Sequence, residues 1–287
     1  MQAKETDSYN ILFCGDVVGR PGRLALQDFL LNTNIKEQAD FIIVNAENAS
    51  HGFGLTLKNH NDLSSLGIDI LTSGNHIWDK KEIFEYINES QKLIRPLNYP
   101  DYIQGTGYKI TEKNGLKVAV INLLGKVFMP DIDSPWNALE KVLPEIKEQA
   151  DIIFIDYHAE ATAEKIAFGL FADSQGINAV CGTHTHVPTA DEKILPNGCA
   201  YITDVGFCGA TNSVIGMEFD GSYRHLRSYM PVRFEVAPLD MAEVNSVLIT
   251  LDRKTSLAHN IKRIKHTVNL AKPDNKNCAE SEQANED

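Results

Sequence analysis

Two histidines separated by one residue, in Gly182-Thr183-His184-Thr185-His186, follow the apolar run Asn178-Ala179-Val180-Cys181. In a loop just past a strand end, imidazoles at this spacing can reach two neighbouring metal ions. Four more segments repeat the arrangement: Gly15-Asp16, Asn45-Ala46-Glu47-Asn48, Gly74-Asn75-His76 and Asp156-Tyr157-His158. Thr203-Asp204 is a weaker sixth. Asp16 and Glu47 are carboxylates of the kind that bridge paired cations. Asn48 and Asn75 offer neutral amide oxygens beside them, and His158 could complete a coordination shell. His76 has a different part. Imidazole titrates near neutrality and can protonate a leaving alkoxide, and Asp79 would orient the ring if a turn brings it back. These residues describe a dinuclear metallohydrolase.

Such groups must be delivered by elements that end together. The runs Ile11–Cys14, Phe41–Val44, Ile68–Leu71, Ile152–Ile155 and Asn178–Cys181 read as buried strands, with Lys117–Leu123 as another. Helices are expected at Pro21–Leu31, Thr56–Leu66, Asp79–Ile87, Ser134–Lys147 and Ala163–Phe171. That alternation is the pattern of an α/β fold, in which ligands bind outside the carboxyl ends of the strands. Later, Ala200–Thr203, Val232–Val236 and Ser246–Leu251 read as strands joined by turns, in a second sheet or an antiparallel extension. One catalytic domain is expected over residues 9–272, with 78–105 as a small cap and 273–287 as a disordered polar tail.

The bulk properties narrow the function. A formal net charge of −12 over 287 residues argues against a broad basic surface gripping nucleic acid by its phosphates. Metal cations could still supply positive field for an anionic substrate. The five cysteines form neither a disulfide framework nor a Cys-x-x-Cys site, and Cys14 and Cys181 read as small core residues. The opening is polar and the apolar runs are far shorter than the ~20 residues that span a bilayer. The expectation is a cytoplasmic protein with no membrane partner. The Gly15–Arg23 loop lacks the lysine and spacing of a P-loop, so its glycines read as a tight strand-to-helix turn. Phe53, Trp78 and Tyr157 could stack on a base, though packing is the commoner use of aromatics beside a site.

Taken in order, Gly15-Asp16-Val17-Val18-Gly19, Asn45-Ala46-Glu47-Asn48, Gly74-Asn75-His76-Ile77-Trp78-Asp79, Asp156–Thr162 and Gly182–His186 strongly resemble the YmdB-like branch of the bacterial metallophosphoesterases, within the calcineurin-like superfamily. The resemblance runs from Tyr9 to about Asp252. It implies a four-layer αββα sandwich with a small helical cap and a dinuclear centre, of iron in this branch and of manganese elsewhere. By matching motifs, Asp16, Glu47, Asn48 and His186 would hold one metal. Glu47, Asn75, His158 and His184 would hold the other, and His76 would be the general acid. The first motif departs from the superfamily's Asp-x-His, since Val18 stands where a histidine ligand is usual, and Glu47 replaces the bridging aspartate.

The implied activity is hydrolysis of phosphodiesters of the 2′,3′-cyclic nucleotide type by a hydroxide bridging the metals. RNA is a further candidate partner, and the second-half strands offer an edge for self-association. Two rival readings stay open: a broader phosphomonoesterase or nuclease, and a regulator that binds a nucleotide or RNA and uses its metals structurally.

Overall fold

The computed structural model describes residues 7–271. The chain runs through β1 (Ser8–Cys14), β2 (Asp16–Val17), α1 (Gly19–Asn32), α2 (Ile35–Gln38), β3 (Phe41–Asn45), α3 (Leu57–Ser64) and β4 (Ile70–Thr72). A single 3₁₀ turn, Asn75–Trp78, precedes α4 (Ile83–Tyr86), β5 (Tyr108–Lys113), β6 (Leu116–Leu124), α5 (Pro135–Gln149), β7 (Ile152–His158) and α6 (Thr162–Ser174). It closes with β8 (Ala179–Thr183), β9 (Lys193–Ile194), β10 (Ala200–Ile202), β11 (Phe207–Ala210), α7 (Phe219–Ser228), β12 (Met241–Asp252) and β13 (Ala258–Asn269).

Two sheets stack face to face. In the first, β1, β3 and β4 are parallel, while β12 runs antiparallel to β1 and is flanked by β13. In the second, β6, β7, β8 and β10 are parallel, with β5 and β9 antiparallel at the edges. Strand side chains alternate between faces. Ile11 and Phe13 therefore point between the sheets, where Phe13 meets Phe154 edge-on at 5.0 Å, whereas Leu12 and Cys14 point outward. The outer faces are covered by α1 to α4 on the first sheet and by α5 and α6 on the second. The result is the αββα sandwich.

Several sequence readings are corrected. Ser246–Leu251 lies within β12, an antiparallel extension of the first sheet as one of the two readings had it, while Ala200–Ile202 forms β10 of the second, so the late strands do not make a sheet of their own. Val232–Val236 forms no strand, and only Val236 makes an isolated bridge, to Met217. The helix expected at Asp79–Ile87 shrinks to the one turn of α4. Within the segment 78–105, Ile83, Tyr86, Ile87 and Leu93 pack into the core beside the first sheet. The tail 273–287 lies outside the described residues.

Candidate metal centre

The carboxyl ends of β1, β3 and β4 in one sheet and of β7 and β8 in the other open onto the same edge. Five loops therefore converge there. Asp16, Glu47, Asn48, His158 and His186 are all buried, while Asn75, His76 and His184 are partly exposed. Donor atoms of Glu47, His158 and His184 lie within 4.8 Å of one another, and among the described residues this is the one such group of three. His158 Nε2 stands 3.0 Å from Glu47 Oε1, 3.1 Å from His184 Nδ1 and 3.2 Å from Asn75 Oδ1. Asp16 borders this cluster, accepting from the His184 backbone N–H at 3.1 Å.

The surrounding hydrogen bonds aim these groups inward. The Thr183 hydroxyl donates to Asp156 Oδ1 at 2.6 Å, so its oxygen accepts from His158 Nδ1–H at 2.8 Å. That leaves His158 Nε2 facing Glu47. The ring of His186 donates from Nδ1 to the Ile215 carbonyl at 2.8 Å, and His184 places Nε2 3.2 Å from Glu160, keeping Nδ1 inward. Asn48 donates its amide to the Gly52 carbonyl at 3.0 Å, freeing Oδ1. Metal-bound histidines are held by such outer partners as a rule.

Electrostatics mark the cluster as a place for positive charge. Burial pushes the Glu47 carboxyl up, but His158 and His76 outweigh it and hold the group down at about 2. Burial pushes His158 down, yet Glu47, Asp16 and Asp156 together raise it to about 9. Burial and the neighbouring His158 charge press His184 down to about 3. A proton on His158 and a metal cation are alternatives for the same acidic pocket.

The donor set fits metal ions. Asp16 Oδ1 and Asn48 Oδ1 are buried without a hydrogen-bond partner, which is costly unless something else engages them. Gly74 lines the same hollow: a Cβ there would stand 2.3 Å from both Glu47 Oε2 and His158 Nε2. Buried carboxylate, imidazole and amide donors form a mixed N/O environment of the kind that suits first-row divalent metals.

His76 occupies the cavity wall beside this cluster. Its Nδ1 lies 2.8 Å from Asp79 Oδ2, and its backbone N–H donates to Glu47 Oε2 at 3.0 Å. The 3₁₀ turn supplies the bend that brings Asp79 back. Asp204, the weaker sixth candidate, turns away from the cluster and pairs with Lys165 at 2.6 Å, both buried. Of the three aromatics, Tyr157 stacks on Phe168 and Trp78 on Phe84, both as packing, while Phe53 lines the cavity. The supporting parts of Asp156, Glu160 and Lys165 do not follow from sequence: Asp156 and Glu160 flank His158 within its motif, whereas Lys165 lies seven residues beyond it.

Two stacked sheets with such a cluster on their shared carboxyl edge define a metallophosphoesterase-type fold. The model of the YmdB-like protein family matches residues 12–264, and the chain belongs to that family. It is 44% identical over 254 residues to the 2′,3′-cyclic-nucleotide 2′-phosphodiesterase of Bacillus subtilis (strain 168), covering 88% of this chain and 96% of that one. A crystal structure from Thermus thermophilus, described as a hypothetical protein, superposes with a TM-score of 0.84 at 35% identity, covering 90% and 99% of the two chains. The crystal structure of a novel phosphatase from Mycoplasma pneumoniae gives 0.84 at 37%, covering 91% and 94%.

Proposed function

We propose that the protein hydrolyses phosphodiesters of 2′,3′-cyclic nucleotides at a dinuclear metal centre, with His76 as proton donor. The observation that carries this reading is the Glu47–His158–His184 cluster, within 4.8 Å, opening on the cavity that His76 also lines. The chain is an enzyme of the phosphodiesterase and phosphatase class, and the Bacillus relative's name supplies the finer substrate.

Asp16, Glu47, Asn48 and His186 would hold one ion, and Glu47, Asn75, His158 and His184 the other, with Glu47 shared. When bound, the ions would neutralise phosphoryl oxygens and acidify the attacking water. Iron is the proposed metal and manganese the alternative. The remaining work falls to the chain. Water adds to phosphorus and releases a proton to solvent, one ribose P–O bond breaks, and the departing oxygen takes a proton from His76 Nε2, which solvent then restores. Asp79, accepting from Nδ1–H, orients the ring, and the proton given at Nε2 is the second proton of the imidazolium form. The product is a nucleoside monophosphate.

We place this activity in one domain over 9–272 and in the cytoplasm, which suits four buried, unpaired cysteine thiols. No helix of the described residues is long and apolar enough to cross a membrane. RNA and a second copy of the chain stay as proposed partners of lower rank. Turnover of 2′,3′-cyclic AMP, p-nitrophenyl phosphate and single-stranded RNA by the metal-loaded protein tests the reading. Preference for the cyclic nucleotide supports it. Preference for either other substrate replaces it with a phosphomonoesterase or a nuclease, and tight binding without turnover replaces it with a regulator.

A further inference from the structure

Ile215 has φ 49°, in the left-handed region where a β-branched residue is a true outlier. The residue is 49% exposed, so burial within the chain offsets little of that strain. Glycine or asparagine would hold this backbone more easily. The side chain must gain something where it stands. It lines a cavity of about 470 Å³ that is continuous with the metal centre, together with Phe53, Met217, Leu226 and Phe234. Leu226 is 66% exposed and Phe234 37% exposed, on the same wall.

The wall is built rather than accidental. Val214 and Met217 exchange backbone hydrogen bonds at 2.8 and 3.0 Å, and the Glu218 N–H donates to the Glu235 carbonyl at 2.8 Å. These bonds tie the 214–217 turn to the chain around Phe234. The Ile215 carbonyl is the acceptor that fixes His186, so the wall and a proposed ligand share one backbone unit. An apolar surface of this kind, beginning beside the phosphate-handling groups, suits a flat heterocycle attached to the phosphoester.

We infer that Ile215, Leu226, Phe234 and Phe53 form a subsite for the nucleobase of a nucleotide whose phosphate lies at the Glu47–His158–His184 cluster. This rests on the reading proposed above for that cluster. Stacking and apolar contact favour the base, so the subsite acts through KM, and its occupant needs an aromatic ring rather than a particular hydrogen-bond pattern.

The test compares kcat and KM on 2′,3′-cyclic AMP and on base-free ribose 2,3-cyclic phosphate, in the parent protein and in Phe234→Ala and Leu226→Ala. Adenosine binding, followed by saturation-transfer NMR, is a catalysis-independent arm. The expected result is a parent preference for the nucleotide that falls about tenfold in Phe234→Ala, the size of one lost stacking contact, and by a smaller factor in Leu226→Ala, which loses apolar contact alone, in both cases mainly through KM. Adenosine binding weakens in parallel. Ile215→Gly removes the strain, so its Tm holds or rises while adenosine binding still weakens. An unchanged preference, or adenosine binding undiminished in all three variants, overturns the subsite. If the parent turns over neither phosphoester yet binds adenosine through these residues, the subsite stands and the phosphodiesterase reading falls.

Discussion

Lys165 Nζ lies 2.6 Å from Asp204 Oδ2, and both side chains are 1% exposed. The same ammonium donates to the Thr183 carbonyl at 2.7 Å, and Asp204 accepts from the Thr185 backbone and hydroxyl. This pair clamps the loop that carries His184 and His186, whose φ values of 97° and 63° are left-handed. Removing one partner of a buried pair leaves the other charge uncompensated, at a cost of about 3–5 kcal/mol. Lys165→Met should lose stability on that scale in a denaturant titration and bind metal more weakly. A variant as stable as the parent would contradict the clamp.

Thr183 sits between His158 and Asp156. Replacing it by valine keeps its shape and removes the acceptor that fixes the imidazole tautomer. Loss of such an outer partner typically costs about 10–100-fold in metal affinity. We expect Thr183→Val to fold, and its metal affinity, measured by competition with a chelating dye, to fall within that range. Parent-like affinity would remove Thr183 from the account.

His76 is proposed to move a proton, and none of the proposed ligand sets includes it. His76→Ala should therefore keep its metal content while kcat drops by roughly 10²–10⁴, the usual worth of a general acid. Asp79→Asn should produce a smaller fall. Elemental analysis beside kinetics separates the roles, because loss of metal in His76→Ala would make His76 a ligand or a structural support.

His60 takes no part in this chemistry and lies buried against Ser90, with Nε2 2.8 Å from its hydroxyl. Burial holds its pKa below the ordinary 6.5, so the folded state binds fewer protons than the unfolded one as pH falls past that value. Its contribution is present above pH 6.5 and is lost as pH falls through the lower, folded-state value. Thermal melts of metal-free protein from about pH 7.5 to 5 should show a steeper decline for the parent than for His60→Gln. Parallel slopes would contradict this.

The five motifs were legible because each caps a parallel strand, whose near-continuous apolar run announces itself. Their convergence followed from the rule that α/β sheets gather function on the carboxyl edge. Asp156 and Lys165 were not legible as supports, since a polar residue's partner depends on the stacking of two sheets. Strand β13 was missed because it is an edge strand, paired only with β12 and studded with Lys262, Arg263 and Lys265, which blur its apolar period. Val232–Val236 erred in the opposite way: its composition suits a strand, but the backbone there ties the cavity wall, with one isolated bridge to Met217 and one hydrogen bond from the Glu218 N–H. Helix α7 was missed although Phe219, Tyr223 and Leu226 recur at helical spacing, and in the structure that apolar face stays exposed instead of entering the core.

The most direct measurement is hydrolysis of 2′,3′-cyclic AMP by the purified protein, with metal content determined, beside Glu47→Gln. Glu47 is the one residue shared by both proposed ligand sets. The account predicts turnover to a nucleoside monophosphate by the parent, and activity and metal collapsing together in the variant. A parent that retains two metals per chain and leaves the cyclic nucleotide intact would contradict it.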